Sequence, residues 1–115
     1  IITMSYTPLL SSSTMRCRFS GQVSADANDN VIGAMFGSSF HATNAFASQM
    51  VIINATNTRE AMALEGEYAP GTTSAQTISF RIGAAGANAA LNGIPGARIL
   101  GGSSVARMTC EEIAP

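Results

Sequence analysis

Apolar and polar residues alternate along much of this chain. In TMRCRFSG (14–21) Met15, Cys17 and Phe19 alternate with Arg16, Arg18 and Ser20, and in QTISFRIG (76–83) Ile78, Phe80 and Ile82 alternate with Thr77, Ser79 and Arg81. A period of two puts every second side chain on one face, so each stretch predicts a strand with one buried side. The segments VIGAMFGSSFHA (31–42) and FASQMVIIN (46–54) are rich in Val, Ile and Phe and are bounded by DANDN and NATN. Branched and aromatic residues suit a pleated surface, and Asn and Asp make turns by bonding their own backbone, so two more strands are expected there.

TREAMALEGEY (58–68) carries conflicting signals. Glu60, Ala61, Met62, Ala63 and Leu64 are good helix formers, yet Met62 and Leu64 keep the two-residue alternation and Gly66 interrupts the run. A strand is expected, because the segment is short and its neighbours are strands. Pro70-Gly71 marks the turn into the 76–83 strand. GAAGANAALNG (83–93) reads as a short strand and turn, with Asn92-Gly93 as a hairpin signal because both residues tolerate positive φ.

Short strands separated by turns every ten residues or so imply two packed sheets rather than a parallel α/β core. The expected class is all-β, an antiparallel β-sandwich in a single domain spanning 1–115. At 115 residues the chain is long enough for a core of its own. It opens on IITMSYTP rather than on Met, and the reading is that it forms the C-terminal part of a longer protein.

Charge narrows the function classes. Only 11% of residues are charged, the formal net charge is −1, and six arginines stand without a single lysine. Arg16, Arg18, Arg59, Arg81, Arg98 and Arg107 are scattered, whereas a nucleic-acid binder needs a basic stripe against phosphates, so no nucleic-acid partner is expected. No apolar run reaches bilayer length, and no membrane insertion is expected. The surface left over is rich in Ser, Thr, Asn, Ala and Gly, which suits contacts between subunits.

Candidate chemistry is sparse. His41 is the one histidine; Ser39 with Asp26 or Asp29 would complete a triad only in a nucleophile context that no serine here has, and a strand-end or interface histidine is expected instead. Asp26, Asn28 and Asn30 place oxygens at alternate positions as a calcium loop does, but the sixth position is Val31 and the twelfth Gly37, so a turn is expected and no metal or other cofactor. Glu65 and Glu67 share one strand face and do not flank a bond as a glycosidase pair would; they read as a solvated edge. Cys17 and Cys110 are too few and too far apart in sequence for a zinc site or a disulfide scaffold, and the cysteine count alone does not fix a compartment. Tyr68, in the EYAPG turn, is the aromatic best placed to meet a receptor in a chain without tryptophan.

The opening SYTPLLSSSTMRCRFSGQVS and the ending TISFRIGAAGANAALNG followed by RILGGSSVARMTCEEIAP resemble the C-terminal β-sandwich head modules of bacteriophage tail fibres and related virion fibres. The order of the pieces carries the likeness: a strand with Arg81 and Gly83, the pair Asn92-Gly93, the pair Gly101-Gly102, then a last strand closing in Thr-x-x-Glu-Ile. The cysteine in MTCEEI departs from the aliphatic residue expected there.

The resemblance implies a jelly-roll-like sandwich that forms a homotrimer in the virion, anchored to other virion proteins through the part preceding Ile1 and meeting a host cell-surface glycan or protein. On this reading the protein is a non-enzymatic fibre head; a capsid-surface decoration module is the alternative, and a polysaccharide-cleaving tail domain a more distant one. Gly83, Gly93, Gly101 and Gly102 are expected to serve turns or close approaches. Arg81 is expected to face Glu111 or Glu112 across a sheet, and Ile1, Ile2 and Met4 to make contacts near a fibre shaft. If the first long strand pairs with the last, as in a jelly roll, Cys17 and Cys110 become inward-facing neighbours. In a virion protein made in a reducing cytoplasm they are expected to stay thiols.

Overall fold

A computed structural model of the chain describes residues 2–38, 44–94, 97–98 and 106–115, with backbone alone at 93–94 and 97–98. Its regular elements are all strands: β1 (Ile2–Tyr6), β2 (Thr14–Ala25), β3 (Asp29–Phe36), β4 (Ala47–Ile53), β5 (Arg59–Tyr68), β6 (Gln76–Ala84), β7 (Ala89–Leu91), β8 (Gly93–Ile94), β9 (Ala97–Arg98) and β10 (Arg107–Ile113). They form two antiparallel sheets and one small ribbon. The first sheet runs β1-β6-β3-β4; the second runs β10-β2-β5, with β7 also paired to β2; β8 pairs with β9.

The two sheets bury their inner faces against each other. From β2 come Met15, Cys17, Phe19 and Val23, from β5 Met62 and Leu64, and these meet Val31 and Met35 of β3, Ile53 of β4, and Ile78 and Phe80 of β6. The rings of Phe19 and Phe80 stack with centroids 3.5 Å apart, joining the middles of the two sheets. Space for this is made by Gly33 on β3. A Cβ there would run into Met62 Sδ and lie 2.9 Å from the Phe80 ring, so the absent side chain lets both large groups fill the centre.

The alternation in the sequence is therefore the burial alternation of the fold, and the 58–68 segment is a strand despite its helix formers. Met62 and Leu64 are buried while Ala61, Ala63 and Glu65 are exposed. Two-sided placement of this kind outweighs intrinsic propensity, because burying two large apolar side chains is worth about 1.5–3 kcal/mol each.

Three expectations change. Ile2 and Met4 belong to β1, a strand not anticipated, and are partly buried against the chain's own core; Ile1 lies outside the described residues. Asn92 does take positive φ, at 61°, but it does not close a hairpin. β7 before it pairs with β2 while β8 after it pairs with β9, and the Asn92 amide donates to the Gln22 carbonyl at 2.8 Å, so the residue turns the chain from one pairing to another. Finally, the strand expected over 31–42 runs from Asp29 to Phe36, and positions 39–43, His41 and Ser39 among them, lie outside the described residues.

Candidate interaction surfaces

The outer faces of the two sheets differ in chemistry. On the second sheet, Arg16 and Arg18 of β2 stand between Glu65 and Glu67 of β5 and Glu111 of β10. Arg16 reaches Glu67 at 2.8 Å and Glu111 at 3.6 Å, and Arg18 reaches Glu65 at 2.9 Å. The guanidinium of Arg16 is held further toward its charged form, chiefly by its hydrogen bond to Glu67. Glu65 and Glu67 are thus partners of arginines. Such exposed pairs contribute little stability individually, but they give this face a surface suited to water.

On the first sheet the corresponding outward positions are apolar. Ile32 of β3 sits beside Met50 of β4 and Gly83 of β6, and Asn30 sits beside Ile52. Ile32 is 49% exposed, Met50 56% and Ile52 55%. Ile32 and Met50, with Ala34, Phe36 and Ala84, line a shallow groove of about 450 Å³ in which Arg81 is the one charged side chain among the described residues, and Ile52 stands on β4 two residues beyond Met50. Its guanidinium lies 5.6 Å from the centre of the Phe36 ring, a cation-π contact. Scattered apolar side chains on a surface need no explanation, whereas these stand together on one sheet face.

A second apolar feature lies outside this groove. The β1–β2 loop presents Leu9, 82% exposed, and Leu10, 49% exposed. This loop is fastened by Glu112 of β10, whose carboxylate accepts the Leu9 amide at 2.9 Å, the Leu10 amide at 3.0 Å and the Tyr6 hydroxyl at 3.0 Å. These donors, the Leu9 amide foremost, hold the Glu112 carboxyl down at about 2 against an ordinary 4.5. Tyr6 on β1 and Glu112 on β10 also bridge the two sheets along one side of the molecule. Along the other side, Gln49 of β4 accepts the Ala63 amide of β5 at 3.0 Å.

The DANDN carboxylates are engaged in loop fixation. Asp29 accepts the Gly86 and Ala87 amides at 2.7 and 2.8 Å, and Asp26 accepts the Asn88 amide and side chain at 2.8 and 2.7 Å. Both carboxyls are held below their usual range by these bonds. Among the described residues, no three His, Cys, Asp or Glu side chains gather as metal ligands would.

Of the residues selected from the sequence, Tyr68 is corrected most sharply. It is 6% exposed and packs against Phe46 with ring centroids 4.8 Å apart, so it is a core residue and offers a receptor no platform. Burial also pushes its hydroxyl pKa up. Arg81 does not face Glu111 or Glu112: β6 and β10 belong to different sheets, Arg81 covers Phe36, and the two glutamates serve Arg16 and the β1–β2 loop. Gly83 has open space where a Cβ would be, so neither a turn nor a close approach requires it. Gly93 pairs with Arg98 in the small ribbon, and Gly101 and Gly102 lie outside the described residues.

Cys17 and Cys110 stand opposite each other on β2 and β10, as expected if the first long strand pairs with the last. They are joined as a disulfide, with Cα atoms 4.1 Å apart, which corrects the expectation of thiols. The register supplies the reason: directly opposed antiparallel residues bring two Cβ atoms within bridging reach.

Sequence reading missed the groove and the leucine loop. The signal was present: Ile32, Met50 and Ile52 occupy the outward phase of strands whose inward phase is also apolar, which is how a sheet with both faces covered reads. No protein-family model matches this sequence, and a search of curated proteins finds no match.

Proposed function

We propose that this chain is a non-enzymatic structural module of a virion fibre, a jelly-roll-like sandwich whose copies assemble, as a trimer, through the outer face of the β1-β6-β3-β4 sheet. The assembled head then meets a host surface with its charged sheet and its loops. The observation that carries the reading is the contrast between faces: Arg16, Arg18, Glu65, Glu67 and Glu111 on one, Ile32, Met50 and Ile52 on the other. A surface of ion pairs keeps its water at little cost, whereas three large apolar side chains on adjacent strands gain by being covered. The low charge of the whole chain and the order of strand, turn and terminal motifs support the same assignment.

Light scattering on the purified protein tests it. A mass three times the 11.8 kDa of one chain is expected, falling to that of one chain when Met50→Asp places a charge in the groove. A wild-type protein that stays monomeric at high micromolar concentration overturns the assembly.

The disulfide favours a second setting. Paired cysteines persist in oxidising compartments, which suits an exported surface-attachment module as well as a virion component oxidised after release. Both settings use the same assembly face.

A further inference from the structure

The two exposed apolar features differ in shape, position and charge. The groove on the first sheet is a shallow concavity that runs along β3 from Asn30 to Phe36, with Met50 of β4 on one side and Arg81 and Ala84 of β6 on the other, and Arg81 gives it positive charge. Leu9 and Leu10 project from the β1–β2 loop, beyond the strand ends where Tyr6 pairs with Gln76 and Ile113 with Thr14. The charge beside them is the negative Glu112.

A ring of copies about a three-fold axis cannot be built from one self-complementary patch. Each copy must offer two different patches, one of which fits the other on its neighbour. A face-to-face contact of two grooves would instead give a dimer and set Arg81 against Arg81. Among the described residues the exposed large apolar side chains fall into two groups of opposite charge, the projecting Leu9 and Leu10 and the sheet face of Ile32, Met50 and Ile52.

We propose that Leu9 and Leu10 of one copy seat in the groove lined by Ile32, Phe36 and Met50 of the next, with Glu112 brought toward the neighbour's Arg81. This rests on the assembly proposed above and specifies its geometry. The occupant of the groove is a second copy of this chain, and the contact is head-to-tail. The Glu112 clasp gains a reason: by holding the Leu9 and Leu10 amides it sets the two side chains outward before association, so little ordering remains to be done on contact.

Mixing of two variants tests the geometry. Leu9→Asp with Leu10→Asp removes the projection and keeps the groove; Met50→Asp keeps the projection and spoils the groove. Leu9→Ser serves as a milder form, and thermal melting of each variant checks that it is folded. Each variant alone is expected to be monomeric, because each lacks one half of every contact. An equimolar mixture is expected to form a dimer and stop there, since the intact groove of one variant accepts the intact leucines of the other.

If wild type is oligomeric, Met50→Asp is monomeric, and the folded leucine variants keep the wild-type mass, the assembly face stands and the head-to-tail contact is overturned. If both variants are monomeric and their mixture is monomeric too, the head-to-tail contact is likewise overturned. A monomeric wild type overturns the assembly itself.

Discussion

Cys17 on β2 lies directly across from Cys110 on β10 and is bonded to it, tying two strands that are 93 residues apart in the chain. The bond fixes the last strand to the first long one. Closing so long a loop removes much of the freedom of the unfolded chain, and the chain-entropy picture assigns it about 4–5 kcal/mol. Replacing both cysteines with alanine is expected to lower the unfolding free energy by about that amount in a urea titration. Alkylation of denatured, unreduced protein should label neither cysteine in the mass spectrum, and labelling of both would contradict the pairing.

Glu112 should make stability depend on acid. Its folded pKa of about 2 lies below the ordinary 4.5, so the charged form is the one the fold favours. The contribution is therefore complete above pH 4.5 and is lost as pH falls from there through 2. Glu112→Gln should melt below wild type at neutral pH, and the gap between the two should close over that acid window. Asp26 and Asp29 shift the same way, but they remain in both proteins and cancel in the comparison.

Gly33 and Gly83 occupy neighbouring positions on β3 and β6 with opposite tolerance. A methyl group on Gly33 enters the space of Met62 and Phe80, whereas one on Gly83 meets nothing within 4 Å. Gly33→Ala is expected to cost about 1–3 kcal/mol through overpacking. Gly83→Ala should stay within about 0.5 kcal/mol of wild type. Urea unfolding of the two variants at low protein concentration checks the pair, and equal effects would contradict the packing described.

Tyr68 should behave as a core residue. Tyr68→Ala is expected to destabilise by about 3 kcal/mol or more, since it removes a buried ring packed on Phe46. Tyr68→Phe should keep most of that packing. A folded Tyr68→Ala protein with wild-type stability would mean the ring contributes nothing to the core.

What could be read from the sequence follows from what alternation encodes. Met15, Cys17 and Phe19, or Ile78 and Phe80, declare by their spacing that they share a face, and a shared face needs a second sheet to cover it. The 58–68 strand was legible for the same reason, through Met62 and Leu64. Tyr68 was misread because its place next to Pro70-Gly71 suggests an exposed turn, while its strand phase, matching Met62 and Leu64, points inward. β1 was missed because Thr3 and Ser5 separate only three apolar residues, Ile2, Met4 and Tyr6, at the chain's edge.

Local pattern thus determined that this chain is built of strands, where most of them run and, where apolar and polar residues alternate as in β2, β5 and β6, which side is buried, because those properties depend on residues one and two positions apart. Only the tertiary structure decided which strands pair and in what register. Those choices rest on contacts between residues far apart in sequence. They place Cys17 against Cys110, Arg16 against Glu67, Glu112 beneath the leucine loop, and Ile32, Met50 and Ile52 together on one outer face. The surfaces proposed for assembly belong to that second set, since a patch exists only once separate strands lie side by side.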